Sequence, residues 1–246
     1  MTEYLDTASG RRIAFRSTPG AGPGVVFLGG FKSDMTGTKA LYLEDWARRT
    51  GRGFLRFDYS GHGDSSGAFE DGCIGDWAED ARAVIEARTE GPQVLVGSSM
   101  GGWISLLLAR AMPQRVSGLV TIAAAPDFTE RGFWAGFSAD QRDTITRTGR
   151  LELPSDYSDD PYVITRTLIE DGRNQVVMTQ PLSLPFPVRM LQGTADEDVP
   201  MQWALDLLAH ATGEDIRLTL VKGADHRFST PECLSLITQS IEDVLA

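Results

Sequence analysis

Ser99, His226 and Asp196 are the residues whose types and surroundings could do chemistry together. Ser99 is the centre of Gly97-Ser98-Ser99-Met100-Gly101, a G-x-S-x-G pattern. It follows the apolar run Gln93-Val94-Leu95-Val96 and precedes an apolar stretch that begins at Gly102 or Trp103. That context predicts a serine on a sharp strand-to-helix turn, held in a strained backbone conformation with its hydroxyl exposed. The helix that follows would point its free N–H groups at a reacting carbonyl oxygen. Without the flanking strand and helix, the same five residues would read as a glycine-rich connecting turn. Ser98 is displaced by one position and should point elsewhere.

A serine hydroxyl is too weakly acidic to ionise unaided, so Ser99 as nucleophile requires a base. The chain holds three histidines. His210 falls near a helix C-terminus, where a cation is favoured for structural reasons. His62 lies in the turn Gly61-His62-Gly63-Asp64, where a structural role is the simpler reading. His226, in Gly223-Ala224-Asp225-His226-Arg227-Phe228, follows the last strand and precedes the last helix. In a doubly wound sheet that is a loop at the carboxyl ends of the strands, where sites form. Position and elimination both select His226.

An acid must orient the imidazole and stabilise its charged form. Asp196, in Gly193-Thr194-Ala195-Asp196-Glu197-Asp198-Val199-Pro200 after the strand Val188–Leu191, is the expected acid. Asp198 is a rival that could instead cap the next helix. Asp127, after the strand Val116–Ile122, is a second. Asp225 adjoins His226, and neighbouring side chains usually diverge. An oxyanion would need two backbone donors: Met100, directly after the nucleophile, and Phe31 in Gly29-Gly30-Phe31-Lys32. The glycine pair alone would suggest no more than a tight turn.

Six short apolar runs read as buried strands that position these residues: Gly24–Leu28, Gly53–Phe57, Gln93–Val96, Val116–Ile122, Val188–Leu191 and Arg217–Val221. Helical spacing of apolar residues marks Lys39–Thr50, Cys73–Thr89, Trp103–Met112, Met201–Ala211 and Pro231–Leu245. Alternation of the two predicts an α/β fold, a doubly wound and mostly parallel sheet with helices on both faces. Glu3–Ser17 should form an antiparallel hairpin. Residues 127–186 break the alternation, and a structureless loop of that length is unusual. They are read as a small helical cap inserted into a core of residues 1–126 and 187–246. This stretch carries Phe133, Trp134, Phe137, Tyr157 and Tyr162. A substrate pocket is expected from Phe31, Met100, Trp103 and the cap aromatics, with Trp103 and Trp134 as substrate-binding residues. For Trp103, ordinary core packing is an equal alternative.

The formal charge of −11 and pI near 4.7 argue against nucleic acid and against an anionic membrane surface. No run of 18 apolar residues exists, so stable membrane insertion is not expected. Two cysteines, Cys73 and Cys233, show no metal-ligand clustering and read as free thiols. The start Met1-Thr2-Glu3-Tyr4 shows no secretory pattern, which makes the cytoplasm the expected location.

Taken together, these residues resemble the α/β-hydrolase superfamily, whose chain order is Ser, Asp, His. Ser33–Ala40, Arg56-Phe57-Asp58-Tyr59-Ser60-Gly61 and Val96–Trp103 are also similar to the mitochondrial acyl-protein thioesterase and acyl-glucuronide esterase family and its bacterial carboxylesterase relatives. The resemblance implies hydrolysis of a carboxylic ester or thioester, with no cofactor or metal, on a small-molecule or acyl-protein substrate. A peptidase would need a subsite for the chain amine, and the sequence offers none. A catalytically silent binding protein on the same fold would have no need for all three of Ser99, Asp196 and His226.

Overall fold

A computed structural model describes residues 1–154 and 161–246. In chain order the elements are β1 (Glu3–Asp6), β2 (Arg12–Thr18), β3 (Ala21–Leu28), α1 (Thr38–Thr50), β4 (Arg52–Phe57), α2 (Ile74–Arg88), β5 (Gln93–Ser98), α3 (Met100–Ala111) and β6 (Val116–Ile122). A π-helical turn (Thr129–Trp134) follows, then α4 (Ala139–Thr148), β7 (Arg150–Leu153), β8 (Tyr162–Thr165) and α5 (Arg166–Asn174). The chain closes with β9 (Val188–Gly193), α6 (Met201–His210), β10 (Ile216–Val221) and α7 (Pro231–Leu245).

Eight strands form one sheet in the order β1-β2-β4-β3-β5-β6-β9-β10. The pairs β1–β2 and β2–β4 are antiparallel, and every pair from β4 to β10 is parallel. Side chains alternate across a strand, so each buried strand feeds two cores. On β5, Leu95 joins the core under α2 and α3, while Val94 and Val96 join the core under α1 and α7. On β3, Val26 and Leu28 take the first side, Val25 and Phe27 the second. With both faces covered, central parallel strands read as continuous apolar runs rather than alternating ones. Helix α3 is buried almost all round because it lies between sheet and neighbours. Cys73 and Cys233 are both buried free thiols.

Between β6 and β9 the structure holds more than helices. Helix α4 opens with a reciprocal capping box between Ser138 and Gln141 and stops at Gly149, whose φ is 82°. Strands β7 and β8 then pair antiparallel as a separate two-stranded ribbon. The sequence reading of a purely helical cap missed this ribbon. Its strands are four residues long: Arg150-Leu151-Glu152-Leu153 alternates between exposed and half-buried positions, and the apolar run Tyr162-Val163-Ile164 is too short to mark a strand by itself. Helix α5 is tied to α2, where the Gly75 amide donates to Asp171 Oδ2 at 2.7 Å. Tyr157, expected among the cap aromatics, lies outside the described residues.

Candidate active site

Strand β5 ends at Ser98 and helix α3 begins at Met100, so Ser99 alone makes the turn. It takes φ 54°, ψ −116°, a region that L-residues avoid. The bend is braced from β6: the Ser99 amide donates to the Ile122 carbonyl at 2.9 Å, and the Ala125 amide donates to the Ser99 carbonyl at 3.2 Å. The motif glycines are required by close approach. A Cβ on Gly97 would stand 2.3 Å from the Gly101 oxygen, and one on Gly101 would stand 2.1 Å from the Leu28 oxygen. This makes a sign test possible. Alanine is favoured over glycine in a helix interior by about 1 kcal/mol. At Gly101 the backbone collision dominates instead, so Gly101→Ala should destabilise the fold by roughly 4 kcal/mol or more. Urea unfolding checks this, and a midpoint at or above wild type would contradict it.

Ser99 Oγ lies 3.1 Å from His226 Nε2, and His226 Nδ1 lies 2.9 Å from Asp196 Oδ2. The three side chains therefore stand in one hydrogen-bonded line, although 127 residues separate the serine from the histidine. The Asp196 side chain is fully buried and that of His226 is 20% exposed. Asp196 is held from four directions. Its Oδ2 also accepts from Gln192 Nε2 at 3.0 Å, and its Oδ1 accepts from the Asp198 and Val199 amides at 3.0 and 2.8 Å. Burial alone would raise its pKa. The bonds from His226, Val199 and Gln192 outweigh that and hold the carboxyl below the usual carboxylate range, keeping it ionised.

Of the rival carboxylates, Asp127 and Asp225 go elsewhere, while the Asp198 carboxylate stays within 4.8 Å of the Asp196 and His226 side-chain atoms. Asp127, at φ 57°, accepts the Val177 and Met178 amides at 2.9 and 3.0 Å and pins the chain after α5. Burial raises its pKa despite those amides. Asp225 Oδ1 accepts the Phe228 amide at 3.1 Å and braces its own turn. Asp198 lines the cavity, but in the Asp196 network it takes part through its backbone amide. Of the other histidines, His62 is buried in a nest of Tyr59, Phe69 and Trp77 rings. The Nε2 of His210 lies 3.0 and 2.8 Å from the carbonyls of Val177 and Gln180.

Met100 is the first residue of α3, where amides have no intrahelical acceptor. Phe31 follows Gly30, and a Cβ on Gly30 would stand 3.5 Å from Ser99 Cβ, so the two segments meet closely. Both residues line one cavity with Ser99 and His226. The loop after Phe31 is fixed from β4: Arg56 donates to the Met35 carbonyl at 2.5 Å, and Asp58 Oδ1 accepts the Met35 amide at 2.6 Å.

The cavity has a volume of about 440 Å³. Its apolar wall comes from Phe31, Phe128, Phe133, Tyr162, Val199 and Trp203. Phe31 packs edge-on against Phe69, Trp77, Phe128 and Phe133, which joins the glycine loop to the segment between β6 and β9. Neither Trp103 nor Trp134, the tryptophans expected at the substrate, lines the cavity, and Trp103 takes the core-packing alternative. Trp103 is fully buried, donates to the Gln175 carbonyl at 3.1 Å and stands behind Phe128. Trp134 is flanked by the guanidinium groups of Arg142 and Arg173, at 5.5 and 4.7 Å from its ring, and is not part of the cavity wall. Its neighbour Phe133, on the same π-helical turn, lines the cavity instead. Trp203 on α6 went unnoticed, since helical spacing does not say which face meets a cavity.

A family model described as "Alpha/beta hydrolase family" matches residues 25–232. "Palmitoyl-protein thioesterase ABHD10, mitochondrial" of Bos taurus is 34% identical over 234 residues, covering 95% of this chain and 76% of that protein. The crystal structure of a putative hydrolase from Agrobacterium vitis S4 superposes with a TM-score of 0.95 at 42% identity, covering 100% and 99% of the two chains. Alpha/beta hydrolase domain-containing protein 10 from mouse superposes with a TM-score of 0.92 at 31% identity, covering 100% and 98%. By sequence and by fold, this chain belongs to the alpha/beta hydrolase family.

Proposed function

We propose that the ester or thioester hydrolysis performed by this chain runs through an acyl-enzyme on Ser99. The observation that carries this reading is the unbroken line from Ser99 Oγ through His226 to Asp196 at the floor of an apolar cavity. His226 takes the Ser99 proton as Oγ attacks the acyl carbonyl. The Met100 and Phe31 amides hold the oxyanion while Asp196 stabilises the imidazolium. His226 then gives its proton to the leaving alcohol or thiol. Water, activated by the same imidazole, releases the carboxylic acid and restores the serine.

Residues 127–186 act in this reading as a cap over a core of 1–126 and 187–246. Phe128, Phe133 and Tyr162 from the cap, with Trp203 from α6, give the cavity its apolar wall. Such a wall suits the acyl chain rather than a polar leaving group. The relatives named palmitoyl-protein thioesterase support an acyl thioester, including one on a protein, as substrate. Those relatives are named mitochondrial. For this chain two buried free thiols fit a reducing compartment, and the cytoplasm is the location proposed. Among the described residues no helix is long and apolar enough to cross a membrane.

A series of p-nitrophenyl esters and acyl thioesters of increasing chain length tests the assignment. Each methylene buried against the cavity wall contributes about 0.8 kcal/mol, so kcat/KM should rise about fourfold per methylene until the wall is filled. A folded protein that turns over none of the series, or prefers acetyl esters, would overturn the reading.

A further inference from the structure

Lys39 lies in the first turn of α1, with no acidic residue beside it in that turn. The positive end of the helix dipole disfavours a cation there. The side chain is also half-buried, and that burial pushes its pKa down to about 8. Asp225 and Cys233 pull the value up and Arg227 pushes it further down. A lysine placed against both dipole and desolvation needs a compensating partner. That partner is the Arg227 carbonyl, to which Nζ donates at 2.5 Å.

Arg227 directly follows His226. The turn they share is sharp: Phe228 sits at φ 49° with its ring fully buried under α7. Within the turn, Asp225 Oδ1 accepts the Phe228 amide and Ser229 Oγ donates to the Arg227 carbonyl at 2.8 Å. Lys39 adds a bond from 188 residues away, from the helix that follows the Phe31 loop. It also lines the same cavity as Ser99 and His226.

We infer that Lys39 is a positioning residue: its ammonium, bonded to the Arg227 carbonyl, holds the His226 turn so that Nε2 stays within reach of Ser99 Oγ. This rests on the Ser99 mechanism proposed above. An ammonium donor makes a bond roughly twice as strong as a neutral one, so deprotonation loosens the turn. The expected result is an alkaline decline in kcat centred near pH 8. Lys39→Met should lower kcat at neutral pH by about 10- to 100-fold, the scale expected when a reacting group is misplaced by about 1 Å. Its KM should stay within about twofold of wild type, and the decline near pH 8 should vanish. Lys39→Arg keeps a cationic donor that does not titrate in this range, so it should retain most of the kcat and lose the decline.

The test measures kcat and KM for p-nitrophenyl butyrate from neutral to about pH 10, background hydrolysis subtracted, for wild type, both Lys39 variants and Ser99→Ala. The rate of Ser99 labelling by a small fluorophosphonate is followed in parallel, and should fall in Lys39→Met by the same factor as kcat. A Lys39→Met enzyme with wild-type kcat and an intact alkaline decline overturns the inference. So does a raised KM at unchanged kcat, which would make Lys39 a substrate contact. If Lys39→Met does not fold, Lys39→Arg decides: retention of the alkaline decline overturns the inference, its loss supports it. Ser99→Ala separates the two readings. A dead serine variant beside a wild-type-like Lys39→Met removes only the role of Lys39, whereas an active serine variant removes the mechanism and this inference together.

Discussion

Ser99→Ala should lower kcat by about 10,000- to 1,000,000-fold on any ester the wild type cleaves. The magnitude follows from the arrangement. In the proposed mechanism Oγ is the attacking atom, so its removal leaves His226 facing a methyl group. What remains is binding and the two backbone amides, which together retain some acceleration over water. The fold should not suffer. The Ser99 side chain bonds to His226, while the bend itself is held by backbone bonds to Ile122 and Ala125. Alanine must still adopt φ 54°, so the backbone strain stays, and stability should lie within about 1 kcal/mol of wild type. Ser99→Gly goes further: it removes the same hydroxyl and relieves the strain, and should raise stability by about 1 kcal/mol. Urea unfolding beside ester turnover measures both. Wild-type turnover in Ser99→Ala would end the acyl-enzyme mechanism. Loss of stability in Ser99→Gly would show that the bend is not strained.

Much of this arrangement is legible in the sequence. Val116–Ile122 and Pro231–Leu245 have the same bounds in sequence reading and structure, because buried parallel strands are apolar runs and a proline marks the helix start. The serine turn was legible because three demands converge on five residues: a tight bend, close passage past Leu28, and a helix start. The segment between β6 and β9 was not. Helix α5, Arg166-Thr167-Leu168-Ile169-Glu170-Asp171-Gly172-Arg173-Asn174, buries only Leu168, Ile169 and Gly172, and the ribbon strands are too short to show a period. The cavity wall failed for a different reason. Trp103 and Phe128 are both apolar and nearly buried, yet one supports and the other faces the substrate space. Composition and spacing report burial. They do not report which buried face borders a void.

Asp196 was preferred in sequence over Asp198, Asp127 and Asp225, and its carboxylate is bonded to His226 Nδ1, which makes Asp196→Asn the more searching substitution. Asparagine has the same shape but one end donates. At the Oδ1 position two amides, from Asp198 and Val199, both need an acceptor, so the asparagine oxygen must sit there. Its NH2 then falls at the Oδ2 position, against His226 Nδ1 and Gln192 Nε2. A donor facing Nδ1 forces the imidazole proton onto Nε2. That nitrogen then points an N–H at Ser99 Oγ and can no longer take the serine proton. The expected loss in kcat is about 10,000-fold, with the serine untouched and KM little changed. Gln192 cannot relieve the clash without cost, because its Nε2 also donates to the carbonyls of Gly193 and Val199, and an amide flip would abandon both. Stability should therefore fall too. Its pH dependence should change with a defined sign. A carboxyl whose folded pKa is depressed contributes stability that is present above its unfolded pKa and lost as acidity rises through the folded value. The variant should lack that acid-side loss. Asp198→Asn, by contrast, leaves the bond its amide makes to Asp196 in place and should keep the histidine tautomer. If Asp198→Asn is the inactive variant and Asp196→Asn retains a tenth or more of the activity, the orienting acid is Asp198, and the buried network around Asp196 serves only to hold the loop.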